Sequence, residues 1–329
     1  MIKYAVTRLL WMIPIMLGVI VIVFSISYFS PGDPVLLMLG NDLTEEQYAT
    51  KAAEFGLDKP YFVQLGTYIW NVMTRFDFGK SFSTRIPISY MFAERIPVSF
   101  KLSILSIIVM VGAGVPLGLI SALKQYSALD VTLTSFSLFM AAIPGYVLAL
   151  LCMLLFGVTL RWLPITGIDS WKNWILPVFC SAGMGIAVFT RMARTTMLEV
   201  IKQDYIRTAR AKGQKERIVV TRHALKNCLI PLVTILGAQV SRMFSGSVII
   251  ETLFAFPGIG QYLREGIMGR DYPVINGCVF MISLLVCSVN LLVDIAYAFI
   301  DPRIKAQFVS VKRKKKAVAA ILGSQEDVA

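Results

Sequence analysis

Six strongly apolar runs divide the chain, and a membrane-crossing helix needs about 20 such residues. The runs cover residues 9–29, 102–123, 131–160, 173–190, 227–250 and 277–300. The third is longer than one crossing requires, so we expect its ends to extend beyond the hydrocarbon. The alternation in segments of about ten residues that is typical of outer-membrane barrels is absent. The pattern therefore predicts an all-α polytopic membrane protein with six transmembrane helices.

The charges between these runs predict an orientation. The first run follows Lys3 and Arg8 and is too long for the core of a cleavable signal peptide, so we interpret it as a retained helix that starts inside. Residues 31–99 hold six basic and eight acidic residues. In contrast, residues 191–226 hold ten basic and three acidic residues, and residues 301–329 hold seven basic and three acidic residues. Because basic segments stay on the cytoplasmic side, both termini are predicted to be cytoplasmic in a prokaryotic cell membrane.

Composition narrows the class of protein further. Hydrophobic residues make up 56% of the chain and charged residues 16%, against about 25% charged in soluble domains. The net charge is +12, and the basic residues cluster beside the apolar runs. This position indicates contact with the lipid bilayer rather than with nucleic acid. The five cysteines form no CxxC pair and are interpreted as packing residues. His223 has no ligand cluster around it, so neither a metal site nor a catalytic site is predicted.

The segment between the first two runs is predicted to fold outside the membrane. Thr44 precedes two acidic residues and is a plausible helix N-cap. Residues 60–73 carry apolar side chains at helical spacing. These features divide the chain into residues 1–98 (first helix and extracytoplasmic segment), 99–300 (a five-helix core with a loop at 191–226) and 301–329 (a basic cytoplasmic tail).

The basic loop carries the most informative pattern. Residues 197–212 place apolar side chains at helical spacing with basic residues between them, and Gly213 can end this helix in a left-handed cap. Residues 216–227 predict a second helix, and Pro231 is expected to begin the next span. Two interpretations are open: the helix docks on a cytoplasmic partner, or it lies on the lipid headgroups.

The loop resembles the "EAA" loop of membrane subunits of type I ABC importers, in the dipeptide/oligopeptide/nickel permease branch. The matching segments are 198–200, 204–213, 222–227 and Pro231 in the loop, 8–10 and 31–34 at the start, 251–260 and 270–273 outside, and 290–294 and 301–303 at the end. The first glutamate of the general signature is replaced by Arg207, and Thr208 follows it, so the role of that glutamate cannot be carried over.

The resemblance implies a MetI-like type I transmembrane fold and a set of partners. These are a second homologous permease, two cytoplasmic ABC ATPase subunits and an extracytoplasmic substrate-binding protein. The chain contains no GxxxxGK[ST] phosphate loop, so ATP is expected on the partners, with no cofactor and no enzymatic activity here. The residues expected to couple to the ATPases are Tyr205, Arg207, Thr208, Ala209, Arg210, Ala211, Lys212 and Gly213.

Charged residues near the membrane offer further candidates. Arg242 in the fifth run, with Glu251 at its end, is a candidate for the translocation path or gate, or alternatively for a structural ion pair or snorkelling to the interface. Asn290 and Asp294 lie four residues apart and favour hydrogen bonds between helices. The glycines of 112–118 and the Pro144–Gly145 pair favour close helix packing or kinks.

The function predicted on these grounds is uptake of di- or oligopeptides, energised by the partner ATPases. Nickel or other metal chelates, glutathione and sugars are alternative cargoes within the same family. A secondary transporter or channel would need several acidic residues at the bilayer midplane, and few are present. An intramembrane enzyme is disfavoured because the chain has no paired aspartates, HExxH or GxSxG.

Overall fold

A computed structural model describes the backbone of residues 2–31, 35–36 and 44–300, and the side chains of 6–31, 35–36, 44–244 and 247–295. Within these ranges the chain forms helices joined by short loops, and Lys80 and Pro87 make an isolated antiparallel bridge. The segment 32–34 of the predicted opening motif, the motif 301–303 and the predicted basic tail 301–329 lie outside the described residues.

The helices confirm the all-α polytopic class. In the described ranges, five helices are long and apolar enough to cross a membrane, and a bent pair, α5 with α6, makes a sixth crossing if it is counted as one span. The elements are α1 (Ile2–Phe29), α2 (Glu45–Phe55), α3 (Tyr61–Arg75), α4 (Ile88–Leu123), α5 (Ala128–Ala142), α6 (Gly145–Cys152, continued by a π-helical turn Met153–Thr159), α7 (Trp171–Ile201), α8 (Asp204–Ala211), α9 (Glu216–Ile218, a π-helical turn Val219–Ala224, and Leu225–Leu253), α10 (Ile259–Met268) and α11 (Tyr272–Ile300).

The third apolar run forms two helices rather than one long one. The axes of Ala128–Ala142 and Gly145–Thr159 meet at 104°. Ile143 adopts an extended conformation with φ −82° and ψ 123°, as expected for a residue that precedes a proline. The run is therefore broken at Pro144, and the position of its ends relative to the hydrocarbon stays a prediction.

The predicted helix over 197–212 is also interrupted. The helix α7 ends at Ile201, and Gln203 is extended with φ −71° and ψ 149° before α8 begins. The break lets Val200 and Ile206, which are 9% and 0% exposed, bury in the same apolar cluster. Packing of the two flanking side chains therefore prevails over the continuous helical period.

The opposite correction applies after Gly213. The second predicted helix does not stop before the next span, because α9 runs without a break from Glu216 to Leu253. Pro231 lies inside this helix. Proline removes one backbone hydrogen bond from a helix interior, and the π-helical turn at Val219–Ala224 is a second departure from regular hydrogen bonding nearby. The loop is thus continuous with the fifth span.

Close packing of α4 against α7 forms the centre of the bundle. A Cβ atom added to Gly114 would lie 2.6 Å from Cβ of Phe189, and one added to Gly118 would lie 2.7 Å from Cβ of Ala193. Only a residue without a side chain permits this approach. The predicted packing role is confirmed for these two glycines, whereas Gly112 has no atom within 4 Å of its added Cβ.

The described part of the segment between α1 and α4 is folded, as predicted. Thr44 caps α2 in a capping box, because it accepts a hydrogen bond from the Gln47 N–H at 3.3 Å and donates its own N–H to Gln47 Oε1 at 3.2 Å. Ser81 Oγ donates to Asp271 Oδ2 at 2.6 Å and thereby joins this segment to the start of α11. The helix α4 begins at Ile88, so the predicted division between residues 98 and 99 falls inside it.

Candidate coupling site

The short helix α8 buries one edge and exposes the rest. Ile206 and Ala209, three residues apart, are 0% and 7% exposed and belong to the apolar cluster that contains Met197, Val219 and Ala224. Ala209 therefore anchors α8 to its own chain instead of facing outward. The other predicted coupling residues are exposed: Tyr205, Arg207, Thr208, Arg210, Ala211, Lys212 and Gly213.

A glycine-based cap ends α8. Gly213 has φ +73°, in the left-handed region that glycine adopts without steric cost. Its N–H donates to the carbonyl of Arg210 at 2.9 Å, and the Gln214 N–H donates to the carbonyl of Ala209 at 3.4 Å. This pair of bonds is a Schellman motif, so the predicted left-handed cap is confirmed.

Side-chain bonds hold α8 and its cap to the start of α9. The Arg210 guanidinium donates to both carboxylate oxygens of Glu216, at 3.1 and 2.6 Å, and this partner raises the pKa of Arg210. Asn227 Nδ2 donates to the Tyr205 hydroxyl at 2.9 Å. His223 Nε2 lies 2.8 Å from Gln214 Oε1. We define the coupling segment as residues 204–213; it is attached to α9 near both of its ends.

Arg207 is a basic residue on the outer surface of the coupling segment, and its ion pair within the chain is weak. The Arg207 side chain is 75% exposed, and its ion pair with Asp204, whose side chain is 99% exposed, spans 3.9 Å. Exposed pairs of this kind contribute about 0–1 kcal/mol. The Arg207 guanidinium can therefore exchange this contact for one with a partner at little cost.

A buried ion pair lies where α7 approaches the coupling segment. Arg194 donates to Asp130 through Nε at 2.7 Å and Nη2 at 2.8 Å. Asp130 is 3% exposed and also accepts hydrogen bonds from the Ser121 hydroxyl and from the Tyr126 N–H. One carboxylate thus joins the end of α4, the start of α5 and the last third of α7.

This cluster was not predicted from the sequence. Asp130 and Arg194 are separated by 64 residues, and neither lies in a pattern that pairs it with the other. The one local signal is the Ser127–Asp130 spacing at the start of an apolar run, which is typical of a helix N-terminus. Indeed, Ser127 accepts from the Asp130 N–H at 3.3 Å, but that signal does not identify the arginine.

Family models cover nearly the whole chain. Residues 114–306 match the model of binding-protein-dependent transport system inner membrane components, and residues 1–103 match the N-terminal model for membrane components of the same transport systems. The chain belongs to this family. It is therefore a permease subunit of an ABC importer, a multi-pass protein of the inner membrane, and not a nucleotide-binding subunit.

Two relatives of this permease subunit carry names from dipeptide transport. The dipeptide transport system permease protein DppB of Alkalihalophilus pseudofirmus is 35% identical, with 93% of this chain and 100% of the relative covered. The protein of the same name in Escherichia coli is 34% identical, with 93% and 99% covered.

A solved structure supports the fold of the permease. The inward-facing MetNI methionine ABC transporter matches with a TM-score of 0.56 and 17% identity, over 65% of this chain and 97% of that one. At this identity the likeness establishes the type I transmembrane fold alone.

The two predicted path residues of the permease occupy different surroundings. Arg242 is exposed on α9, whereas Glu251 is 0% exposed. Nine residues at 100° each place them on opposite sides of the helix. Glu251 Oε2 accepts from the Gly260 N–H at 2.7 Å, and Ser99 Oγ accepts from the Ile259 N–H at 2.9 Å, so the two cap the start of α10. A path role for either residue stays a prediction.

The polar residues of the last span make the predicted bonds between helices. Asn290 Oδ1 accepts a hydrogen bond from the Ser241 hydroxyl on α9. Asp294 Oδ2 lies 3.3 Å from Arg8 Nε on α1. The α11 helix of the permease is thus linked by polar contacts to both of these neighbours, which confirms the structural interpretation of this pair.

Proposed function

We propose that this permease subunit forms, with a second homologous permease, the path of an ATP-driven importer for di- and oligopeptides. Two ABC ATPase subunits dock on the cytoplasmic side, one on each permease, and a substrate-binding protein delivers the peptide from outside. The names of the DppB relatives, which match over 93% of this chain, support a peptide cargo.

The observation that carries the proposal is the construction of the coupling segment. An ATPase can move the spans only if the helix it holds does not yield. The α8 helix is anchored by Ile206, closed by the Gly213 cap and bonded to α9 through Arg210–Glu216 and Tyr205–Asn227. A push on its exposed face would therefore be passed to α7 and α9 as a rigid-body movement.

The charge distribution supports the proposed orientation. The loop 191–226, with ten basic and three acidic residues, faces the cytoplasm under the positive-inside rule. With six crossings, both termini lie on that side. ATP then binds only to the partner subunits, which the absence of a phosphate-loop motif in this chain also favours.

A pair of matched charge reversals tests the docking claim. Lys212 is exposed at the end of α8, and Lys172 is exposed at the start of α7, about 45 Å away along a 31-residue helix. In the complex of both permeases and the ATPases, we expect Lys212→Glu to weaken ATPase copurification about tenfold, or about 1.4 kcal/mol, and to reduce ATP-dependent uptake accordingly. Lys172→Glu should leave copurification unchanged.

Two outcomes would overturn the proposal. One is unaltered ATPase binding after simultaneous reversal of Arg207 and Lys212. The other is concentrative uptake by proteoliposomes that contain the permeases without any ATPase. The cargo is tested separately, with the intact complex, its binding protein and a panel of short peptides, nickel chelates and glutathione. Preferred uptake of a chelate or of glutathione would replace the peptide assignment and leave the importer class intact.

A further inference from the structure

The helix α3 exposes an apolar face that water would not favour. Phe62, Val63, Trp70 and Met73 are 81%, 49%, 63% and 39% exposed. At 100° per residue they fall within one arc of the helix, which Gly66 shares. Soluble surfaces rarely present a continuous apolar area of this kind without a partner.

The polar groups on this face are satisfied within the helix. Thr67 and Thr74 lie at the edge of this arc, and their hydroxyls donate to the carbonyls four residues earlier, of Val63 and Trp70, at 2.8 and 2.6 Å. Apart from Arg75, the exposed last residue of the helix, α3 has no charged side chain. Thr50 makes the same bond in α2, so this bonding permits a position in hydrocarbon but does not by itself indicate one.

The neighbouring helix α2 provides the contrast. Its outer face carries Glu45, Glu46 and Glu54, all exposed, and Glu54 pairs with Lys51 at 2.5 Å. Two helices that follow each other in the same segment therefore expose surfaces of different chemical character, one charged and one apolar. A common position in water would explain the first surface and not the second.

Contacts of α3 place it beside the spans rather than above them. Its start meets the end of α1, where the Tyr61 hydroxyl lies 2.7 Å from Ser25 Oγ. After its end, the rings of Phe76 and Phe78 lie 6.5 and 5.6 Å from that of Phe280. Phe280 is eight residues into α11, about 12 Å along its axis. The chain then returns to the start of α11 through the Ser81–Asp271 bond.

We propose that α3 is a re-entrant membrane helix whose exposed face contacts lipid acyl chains, in the leaflet where α1 ends. The lipid-facing surface of α3 would then be continuous with the lipid-facing surface of α1. On α1, Ile22, Ile26 and Phe29 are 60%, 66% and 73% exposed. The opposite face of α3 packs through Val72 into the cluster of α1 and α11. The segment thereby adds a membrane anchor that holds α1 to α11, and it is independent of the proposed cargo and ATPase docking.

Spin labelling of the assembled importer tests this position. The complex, with the cysteines of this chain replaced and uptake verified, is reconstituted in phosphatidylcholine–phosphatidylglycerol vesicles. Nitroxides are attached singly at Phe62→Cys and Trp70→Cys, with Ile22→Cys on α1 as the lipid reference and Glu46→Cys on α2 as the water reference. Collision rates with oxygen, which partitions into lipid, and with a water-soluble nickel chelate are then measured.

We expect the oxygen-to-nickel collision ratio at Phe62 and Trp70 to match that at Ile22 and to exceed that at Glu46 severalfold. A ratio equal to that at Glu46 would overturn the proposal, because the face would then lie in water. Low collision rates with both reagents would overturn it as well, since a protein partner would then cover the face. The cysteine variants replace exposed side chains only, and retained uptake shows that the complex has folded.

Discussion

Replacement of Arg194 by methionine tests whether the buried ion pair holds the α4–α5–α7 junction. Methionine keeps much of the aliphatic length of arginine but leaves the Asp130 carboxylate, whose side chain is 4% exposed, without its cation. Breaking a buried pair costs about 3–5 kcal/mol. Because Ser121 and the Tyr126 N–H still donate to this carboxylate, we expect a value near the lower end, about 3 kcal/mol.

Replacement of the other partner, Asp130, should lower the free energy of unfolding by less. In Asp130→Asn the unpaired group is Arg194, whose side chain is already 24% exposed and can move toward water, so we expect about 1–2 kcal/mol. The double variant removes both charges and should be more stable than the sum of the single effects predicts, by about 1–3 kcal/mol of coupling.

The assay is equilibrium unfolding of the purified permease in mixed maltoside–SDS micelles, followed by tryptophan fluorescence and checked for reversibility. Arg191→Met is the matched control, since Arg191 is exposed one turn earlier on α7. It should alter the free energy of unfolding by less than about 0.5 kcal/mol. Equal losses for Arg191→Met and Arg194→Met, or strictly additive effects in the double variant, would refute the structural role of the pair.

Three further substitutions follow from the packing and caps. Gly118→Ala forces a Cβ against the Thr190 carbonyl and should destabilise the fold by about 1–3 kcal/mol. In the same unfolding assay Gly112→Ala, which meets open space inside the helix, should cause no loss of stability and a gain of up to about 1 kcal/mol. Gly213→Ala places a side chain at φ +73° and should cost about 1 kcal/mol; hydrogen exchange of the coupling segment should quicken, and unchanged exchange would contradict the cap. Glu251→Ala removes the acceptor at the start of α10 and should cost about 1–3 kcal/mol, with Glu251→Gln milder; equal losses for the two would argue against capping.

Local patterns in the sequence were sufficient for several elements. Apolar runs of bilayer length predicted the spans, because a helix in hydrocarbon must bond its own backbone and expose apolar side chains. The Thr44 N-cap and the left-handed Gly213 cap were predictable for a similar reason: each depends on bonds among residues a few positions apart.

Tertiary structure decided the features that join distant residues. The partner of Asp130 lies 64 positions away on α7, and no local period encodes that distance. The break before α8, and the direction in which Ile206 and Ala209 face, follow from a cluster shared with α9. The sequence identifies Glu251 only as a charged residue at the end of an apolar run. The tertiary structure shows that its side chain is buried and accepts a hydrogen bond at the start of α10. Periodicity specifies which segments are helices, whereas the fit of side chains between helices determines how those segments meet and where a chain must bend.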